Sequence, residues 1–233
     1  MNIAIIAAAG RGMRMGGDAQ AKQFRELGGT PIIIHTLKRF EQCATIGQLV
    51  VVVPGSDVSE FIALAGRYRL SKLARVVAGG RTRTETVWRG LQAIRAATAE
   101  VVAVHDGVRP FVTPEEIDRT VRAAQTGGAA ILALPVTDTI KEVCDGRVTR
   151  TLERATLWHA QTPQCFRYDL LRRAYEQAIA ENIEVTDDSA LVERLGAIVA
   201  VIEGDARNIK ITRPEDIALA EILVHSSKFK VQS

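Results

Sequence analysis

The chain has 233 residues, of which 47% are hydrophobic and 24% are charged, a composition typical of globular proteins. This length predicts one α/β domain rather than two full domains. The net charge is only +3 and aromatic residues make up 5% of the chain, so neither a nucleic-acid-binding surface nor a membrane-inserted segment is expected.

The first predicted element is a strand over residues 2–8, which runs into a loop rich in glycine and arginine. Small residues from Ala8 to Gly12 let the backbone approach a flat, charged ligand and direct its N–H groups at phosphate oxygens. Arg14 and Lys22 add positive charge beside this loop. The pattern predicts a nucleoside triphosphate site, and the alternative is an ordinary strand-to-helix turn with both cations solvated.

Two better-known phosphate-binding loops do not fit this spacing. A dinucleotide fingerprint needs a third glycine where Met15 stands after Gly10 and Gly12. A Walker A loop needs Gly-Lys followed by Ser or Thr, and the sequence has no such run.

Short apolar runs then alternate with amphipathic segments of helical length, and this rhythm predicts a doubly wound, mostly parallel sheet. Its ligand crevice is expected at the carboxyl ends of the strands. The next predicted strands cover residues 48–54, 75–79, 101–105 and 129–135, and the predicted helices cover residues 31–43, 57–68, 82–97 and 114–126.

The segment over about residues 137–154 breaks this alternation. Residues 139–143 and 148–152 flank an Asp145-Gly146 turn, which predicts a β-hairpin arm. A two-stranded ribbon buries little core by itself, so the arm is expected to lie on the body or on a second subunit.

The remaining chain returns to the α/β pattern. Helices are predicted over residues 168–180, 186–195 and 214–224, and strands over residues 197–203 and 208–212. A single domain is therefore expected over residues 1–225, followed by a frayed tail at residues 226–233. Three dispersed cysteines without a CxxC pair indicate neither zinc nor disulfides, and fit a reducing cytoplasm.

An aspartate, Asp106, stands at the end of a predicted apolar strand. Such a carboxylate commonly holds Mg²⁺ on a nucleotide's phosphates, and the alternative is an aspartate that caps the next turn. Arg109 could clamp a phosphate or pair with Asp106, and His105 is interpreted as a packed side chain rather than a base.

Two further segments carry polar groups that could reach a ligand. The turn at Gly80 could bring backbone groups and the Thr86 hydroxyl against a base edge, or could be a plain glycine turn with a threonine cap. In the strand predicted over residues 208–212, alternation places Asn208, Lys210 and Thr212 on one face. That face is either an exposed edge or the wall of a pocket.

Eight segments, in this order, closely resemble those of the 2-C-methyl-D-erythritol 4-phosphate cytidylyltransferase family of the non-mevalonate isoprenoid pathway. The resemblance runs from residue 2 to about residue 224. The segments are AAGRGMRM, AKQF, GGRTRTETV, VHDGVRPF, PVTDTIK, LERATLWHAQTPQCF, EVTDDSALVERLG and NIKITRPEDIALAE.

The resemblance implies transfer of CMP from CTP to methylerythritol phosphate, with Mg²⁺ as the divalent cation. It implies that Arg14 and Lys22 stabilise the transition state, and that Arg154 and Lys210 position the acceptor. Substrate contacts are implied for a larger set: Ala8, Ala9, Gly10, Gly12, Gly80, Arg83, Thr86, Asp106, Arg109, Thr139 and Thr186.

The family is also a homodimer whose hairpin arm crosses to the partner, so the resemblance implies that Thr139 and Arg154 serve the other subunit's site. Two other functions stay open on the sequence. One is a cytidylyltransferase for ribitol 5-phosphate on the same fold, and the other is a non-catalytic nucleotide sensor.

Overall fold

A computed structural model describes residues 1–10 and 22–225 of the chain. Within these ranges the strands are β1 (Asn2–Ala7), β2 (Glu26–Leu27), β3 (Thr30–Pro31), β4 (Ile46–Val53), β5 (Leu73–Ala78), β6 (Val101–Asp106), β7 (Ala129–Pro135), β8 (Lys141–Cys144), β9 (Arg147–Thr151), β10 (Trp158–Arg167) and β11 (Ala200–Glu203). The α-helices are α1 (Ile32–Gln42), α2 (Val58–Ala65), α3 (Arg83–Gln92), α4 (Pro114–Gly127), α5 (Tyr168–Ala180), α6 (Ser189–Arg194) and α7 (Pro214–His225).

Seven of these strands form one sheet in the order β11-β7-β10-β6-β1-β4-β5. All neighbouring pairs are parallel except those of β10, which runs antiparallel to both β6 and β7. The predicted doubly wound, mostly parallel sheet is therefore confirmed, with one reversed strand near its middle.

Helices cover both faces of this sheet because side chains alternate along each strand. On one face, Ile6 and Val51 belong to a buried cluster that includes residues of α1, α2 and α4. On the other face, Ile5 and Val50 pack with residues of α3, α5 and α6. This two-sided burial explains why β1 and β4 are nearly continuous apolar runs.

Local signals set several of the boundaries. Helix α4 begins with a capping box, in which the Thr113 hydroxyl accepts from the Glu116 N–H and the Glu116 carboxylate accepts from the Thr113 N–H. Pro114 follows the cap at the first helical position. The predicted bounds of β7 and α5 agree with the structure to the residue.

Two sequence-based assignments were wrong. Residues 208–212 do not form a strand, because their backbone does not pair with a neighbouring strand of the described sheets. Ile211 N–H makes one isolated hydrogen bond, to the Val108 carbonyl. The long strand β10 was missed because it contains Pro163 and polar residues, and its pairing with β7 is interrupted between Ala160 and Gln164.

The predicted hairpin is present as β8 and β9, joined by a turn in which Asp145 and Gly146 have positive φ. Every residue of both strands is exposed, and Val143 and Val148 remain 56% and 60% exposed. The arm therefore leaves its apolar side chains uncovered by this chain. No helix in the described part of the chain is long and apolar enough to cross a membrane.

Candidate active site

A cavity of about 290 Å³ lies where β1, β5 and β6 end, at the carboxyl edge of the sheet. This is the position at which open α/β sheets bind ligands. Its described lining consists of Ala7, Ala8, Ala9, Gly10, Gln23, Gly80, Arg81, Thr82, Arg83, Thr86, Asp106, Val108, Lys210 and Thr212.

The carboxylate of Asp106 lies at the centre of the charged side of this cavity. Lys210 Nζ lies 2.8 Å from Asp106 Oδ2, and Arg109 Nε lies 3.5 Å from the same oxygen. Arg83 Nε lies 3.9 Å from the other oxygen, Oδ1. Three cations from distant parts of the sequence therefore meet at one aspartate at the end of β6.

This charge cluster controls the ionisation of Asp106. Burial alone would raise the pKa of Asp106, but Lys210, Arg83 and Arg109 together hold that pKa well below its usual range. The carboxylate is therefore ionised at neutral pH. Three cations face this carboxylate, and one of them, Arg83, also pairs with the carboxylate of Asp188. The described cluster therefore keeps one excess positive charge, which an anionic ligand would balance.

Arg83 is held by a second, fully buried carboxylate. Asp188 accepts hydrogen bonds of 2.7 and 2.5 Å from the two terminal nitrogens of Arg83, and it also accepts from the Tyr175 hydroxyl. Burial acts to lower the pKa of Arg83, but the attraction of Asp188 outweighs it and raises that pKa. Arg83 is therefore a permanently charged, fixed wall of the cavity.

Close backbone approach shapes the opposite wall. A Cβ atom on Gly79 would lie 2.2 Å from the Ala9 side chain, so only glycine lets the ends of β1 and β5 meet this closely. The Thr86 hydroxyl donates to the Thr82 carbonyl and accepts from Gly80 N–H. Thr86 thus ties the glycine turn to the first turn of α3, and both face the cavity.

Lys210 reaches the cavity from a segment without regular secondary structure that follows β11. The segment is fixed by buried Asn208, whose side-chain amide donates to the Thr162 carbonyl, and by the bond from Ile211 N–H to the Val108 carbonyl. Lys210 and Thr212 both line the cavity. Of the two alternatives for this segment, the pocket wall is the one observed, although the segment is not a strand.

The structure brings together most of the predicted site residues that it describes. Ala8, Ala9, Gly10, Gly80, Arg83, Thr86, Asp106 and Lys210 line the cavity, and Arg109 lies behind Asp106. Three other predicted residues do not line it: Thr139, Arg154 and Thr186 are exposed. Gly12 and Arg14, and the side chain of Lys22, lie outside the described residues.

Arg154 occupies a short 3-10 helix beyond the hairpin arm, where its guanidinium donates to the Thr137 carbonyl at 2.6 Å. Thr139 stands at the base of the same arm. Neither residue reaches the cavity of its own chain.

Sequence reasoning missed the carboxylate of Asp188 and the buried amide of Gln23. Asp188 lies in the motif EVTDDS, inside the helix predicted over residues 186–195, and no role was predicted for it. No periodicity marks it as a partner of Arg83, which is 105 residues away. Gln23 is 1% exposed and lines the cavity directly after Lys22.

The donor chemistry of the cavity suits a hard divalent cation shared with a nucleotide. Asp106 supplies the one carboxylate among the described lining residues. Lys210 and Arg109 contact its Oδ2, while among the residues that the structure describes Oδ1 has only the 3.9 Å ion pair with Arg83. Mg²⁺ is often bound by one or two carboxylates together with substrate phosphates and water. Within residues 1–10 and 22–225 no cluster of three or more ligating side chains offers an all-protein metal site.

Known proteins are similar to this chain over nearly its whole length. The 2-C-methyl-D-erythritol 4-phosphate cytidylyltransferase family matches residues 2–226. The enzyme of that name from Geobacillus kaustophilus is 46% identical over 96% of both chains, and the one from Bacillus licheniformis is 44% identical, also over 96% of both. A crystal structure of 4-diphosphocytidyl-2C-methyl-D-erythritol synthase from Anaerococcus prevotii superposes with a TM-score of 0.84 and 33% identity, covering 96% of this chain and 95% of that one.

Proposed function

The chain belongs to the 2-C-methyl-D-erythritol 4-phosphate cytidylyltransferase family, and from this membership we infer how its cavity carries out the reaction. The enzyme transfers CMP from CTP to 2-C-methyl-D-erythritol 4-phosphate in isoprenoid precursor synthesis. The products are 4-diphosphocytidyl-2-C-methyl-D-erythritol and pyrophosphate.

The convergence of Lys210, Arg83 and Arg109 on Asp106 is the observation that carries the proposal. The reaction brings an anionic phosphate up to the α-phosphorus of an anionic triphosphate. The main barrier is therefore electrostatic repulsion, and fixed cations stabilise the developing charge of the transition state. A non-catalytic sensor would need no cation at the position of the attacking phosphate.

The acceptor supplies its own nucleophile. A phosphate monoester is largely dianionic at neutral pH because its second pKa is about 6. One of its oxygens attacks the α-phosphorus of CTP, the bond between the α- and β-phosphates breaks, and pyrophosphate leaves with the electron pair. No side chain has to remove a proton, which agrees with the neutral, buried state of His105, whose pKa burial lowers to about 4.

We assign roles to individual residues as follows. Lys210 and Arg154 bind the acceptor phosphate, and Arg14 and Lys22 stabilise the charge on the triphosphate. The small residues of the two glycine turns form the cytidine wall, and Thr86 is its hydroxyl contact. These assignments are supported by the family motifs and, for Lys210 and Thr86, by their position in the cavity lining.

Further substrate contacts are proposed for Ala8, Ala9, Gly10, Gly12, Gly80, Arg83, Asp106, Arg109, Thr139 and Thr186. The cation is proposed to be Mg²⁺, with Asp106 Oδ1 as its protein ligand. A bound Mg²⁺ would neutralise phosphate charge and help the pyrophosphate to leave.

We also propose that the enzyme is a homodimer in which the arm made by β8 and β9 crosses to the partner subunit. The uncovered side chains of Val143 and Val148 support this arrangement, as does the exposure of Arg154 away from its own cavity. The three free cysteines support a reducing compartment, which we propose to be the cytoplasm.

A subunit-mixing experiment tests the shared site. Arg154→Ala protein and Lys22→Ala protein, each inactive alone, are mixed under conditions that allow exchange. If Arg154 acts across the dimer, each heterodimer contains one site with both substitutions and one intact site, and activity returns to about half per heterodimer. If Arg154 acts within its own chain, mixing restores nothing, and the crossed arrangement is wrong.

The transfer reaction itself is tested with competing acceptors. The enzyme is incubated with CTP, Mg²⁺ and either methylerythritol phosphate or ribitol 5-phosphate, and pyrophosphate release is followed. We expect release with methylerythritol phosphate at a rate far above that with ribitol 5-phosphate. The reverse preference would reassign the acceptor, and CTP binding without release for either acceptor would favour the sensor.

A further inference from the structure

The ring of His105 lies just behind the charged cluster, at the end of β6. It is fully buried and packs against the Phe40 ring, with 4.9 Å between the ring centroids. Both ring nitrogens are within hydrogen-bonding distance of other groups. Nδ1 lies 3.0 Å from Thr162 Oγ1, and Nε2 lies 3.1 Å from the carbonyl oxygen of Arg109. His105 itself does not line the cavity.

The hydrogen-bond partners fix the tautomer of this ring. The carbonyl of Arg109 can only accept, so Nε2 must carry the hydrogen. Thr162 Oγ1 accepts the backbone N–H of Asp106 at 3.2 Å, which leaves its own hydroxyl hydrogen to be donated. A neutral ring with its hydrogen on Nε2 has an unprotonated Nδ1, which lies 3.0 Å from Thr162 Oγ1 and can accept that hydrogen. A neutral ring protonated on Nε2 satisfies every group in this set, whereas a ring protonated on Nδ1 leaves the Thr162 hydroxyl without this acceptor.

One of these bonds holds the turn after β6, which connects Asp106 to Arg109. The Arg109 carbonyl is fixed by His105, and the Arg109 N–H donates to the Asp106 carbonyl at 3.1 Å. Two hydrogen bonds therefore hold the turn between Asp106 and Arg109, one at the N–H and one at the carbonyl of Arg109. Its geometry sets where the Asp106 carboxylate and the Arg109 guanidinium point.

The other bond connects the same ring to the segment that carries Lys210. Thr162, fixed through its hydroxyl by His105, accepts the Asn208 side-chain amide at its carbonyl at 2.9 Å. The Asn208 carbonyl in turn accepts from the Arg109 guanidinium at 2.7 Å. Lys210 follows Asn208 by two residues. His105 is thus the point at which the turn after β6, strand β10 and the Lys210 segment are joined.

We propose that His105, as the neutral tautomer protonated on Nε2, is a positioning residue that sets Asp106, Arg109 and Lys210 around the acceptor phosphate. It takes no part in proton transfer and touches no substrate. The proposal rests on the function proposed above, because it names the acceptor phosphate as the ligand of the cluster.

Three substitutions separate the two hydrogen bonds from the packing of the ring. His105→Gln places a donor near Nε2 and loses the acceptor for Thr162, while His105→Asn keeps an acceptor near Nδ1 and loses the bond to Arg109. His105→Phe keeps a ring against Phe40 and loses both bonds. His35→Phe is the matched control, because His35 Nε2 also bonds a carbonyl, that of Leu27, at 2.9 Å but lies outside the described cavity lining.

We expect His105→Phe to raise the KM for methylerythritol phosphate about tenfold or more, because both hydrogen bonds of the ring are lost. The Kd for CTP should change less than about threefold, because Arg83 and the glycine turns do not depend on this ring. The KM for methylerythritol phosphate of His105→Gln and of His105→Asn should lie between the values of wild type and His105→Phe. His35→Phe should lower the melting temperature without changing the KM for the acceptor.

The tautomer is measured independently of activity by ¹⁵N NMR of histidine-labelled protein at neutral pH, with the His105 signals identified by their loss in His105→Gln. The expected pattern is a protonated Nε2 and an unprotonated Nδ1. A protonated Nδ1 would overturn the proposal, as would an active wild type whose acceptor KM is unchanged in a folded His105→Phe or His105→Gln variant. A wild type with no transferase activity would instead refute the proposed function, and the NMR pattern would still report on the hydrogen bonds.

Discussion

Replacing Asp188 with asparagine tests whether the buried pair with Arg83 holds the cavity wall in place. Asp188 is fully buried, the Arg83 side chain is 21% exposed, and the carboxylate also accepts from Tyr175. Asparagine keeps the shape of the side chain but removes its charge. Among the described residues, Arg83 would then keep one ion pair, with Asp106 at 3.9 Å from its Nε, and could donate to one amide oxygen in place of two carboxylate oxygens.

The expected loss follows from this burial. Breaking a buried ion pair by removing one partner typically costs about 3–5 kcal/mol, and the partial exposure of Arg83 places Asp188→Asn near about 3 kcal/mol. For a domain of this size that loss corresponds to a fall in Tm of roughly 6–12 °C. The affinity for CTP should also fall, because Arg83 is free to leave the wall of the cavity.

Urea unfolding at pH 7 measures this change, with Glu176→Gln as the control. Glu176 pairs with Arg172 at 2.8 Å, a similar distance, but both side chains are about half exposed. Exposed pairs contribute little to stability, so the control midpoint should barely move. Equal midpoints for Asp188→Asn and wild type would refute the reasoning, because burial would then not set the strength of the pair. An equal loss of unfolding free energy in Asp188→Asn and Glu176→Gln would also refute it.

Three other substitutions give direct readings of the site. Lys210→Ala should lower kcat/KM for methylerythritol phosphate by a factor on the order of 10²–10³, while the calorimetric Kd for CTP stays near the wild-type value. If the variant bound both substrates equally more weakly, Lys210 would not be specific to the acceptor. Because cations depress the pKa of Asp106, its ionised form contributes stability that is fully present above about pH 4 and lost as the pH falls further. The difference in unfolding free energy between wild type and Asp106→Asn should therefore shrink below about pH 4, and a constant difference would contradict the ion pairs. Gly79→Ala should lower the free energy of unfolding by about 1–3 kcal/mol in a urea titration, because its Cβ would lie 2.2 Å from the Ala9 side chain. Gly127→Ala, whose Cβ would meet no described atom within 4 Å, should leave the urea midpoint close to that of wild type, and equal midpoints for the two variants would contradict the close approach at Gly79.

The sequence predicts the sheet well where one signal dominates. Strand β7 is a continuous apolar run, and helix α5 begins directly after β10 with a clear amphipathic pattern, so both were bounded correctly. The segment around Asn208 was wrong for a specific reason. Its alternating polar residues resemble a half-buried strand, yet Asn208 is fully buried and uses its side chain to bond Thr162.

The candidate site, like the fold, was predicted only in part from the sequence. Asp106 could be selected from the sequence because it stands at the end of an apolar strand. Lys210 was selected through the family resemblance, because the alternation of residues 208–212 left open whether its face was an exposed edge or a pocket wall. The partners of Arg83 and His105 could not be predicted, because Asp188 and Thr162 meet them only through the packing of distant segments. Local sequence patterns can indicate that a residue lies near the crevice, but they contain no information on which distant side chain it contacts.

The central claim is that an oxygen of the acceptor phosphate attacks the α-phosphorus of CTP within the cation cluster. Methylerythritol phosphate carrying ¹⁸O in its phosphate group tests this directly, with the products analysed by mass spectrometry and ³¹P NMR. We predict that all of the label stays in 4-diphosphocytidyl-2-C-methyl-D-erythritol, with one labelled oxygen bridging the two phosphorus atoms, and that pyrophosphate is unlabelled and equimolar with the product. Pyrophosphate released together with free CMP and unchanged labelled acceptor would contradict the account.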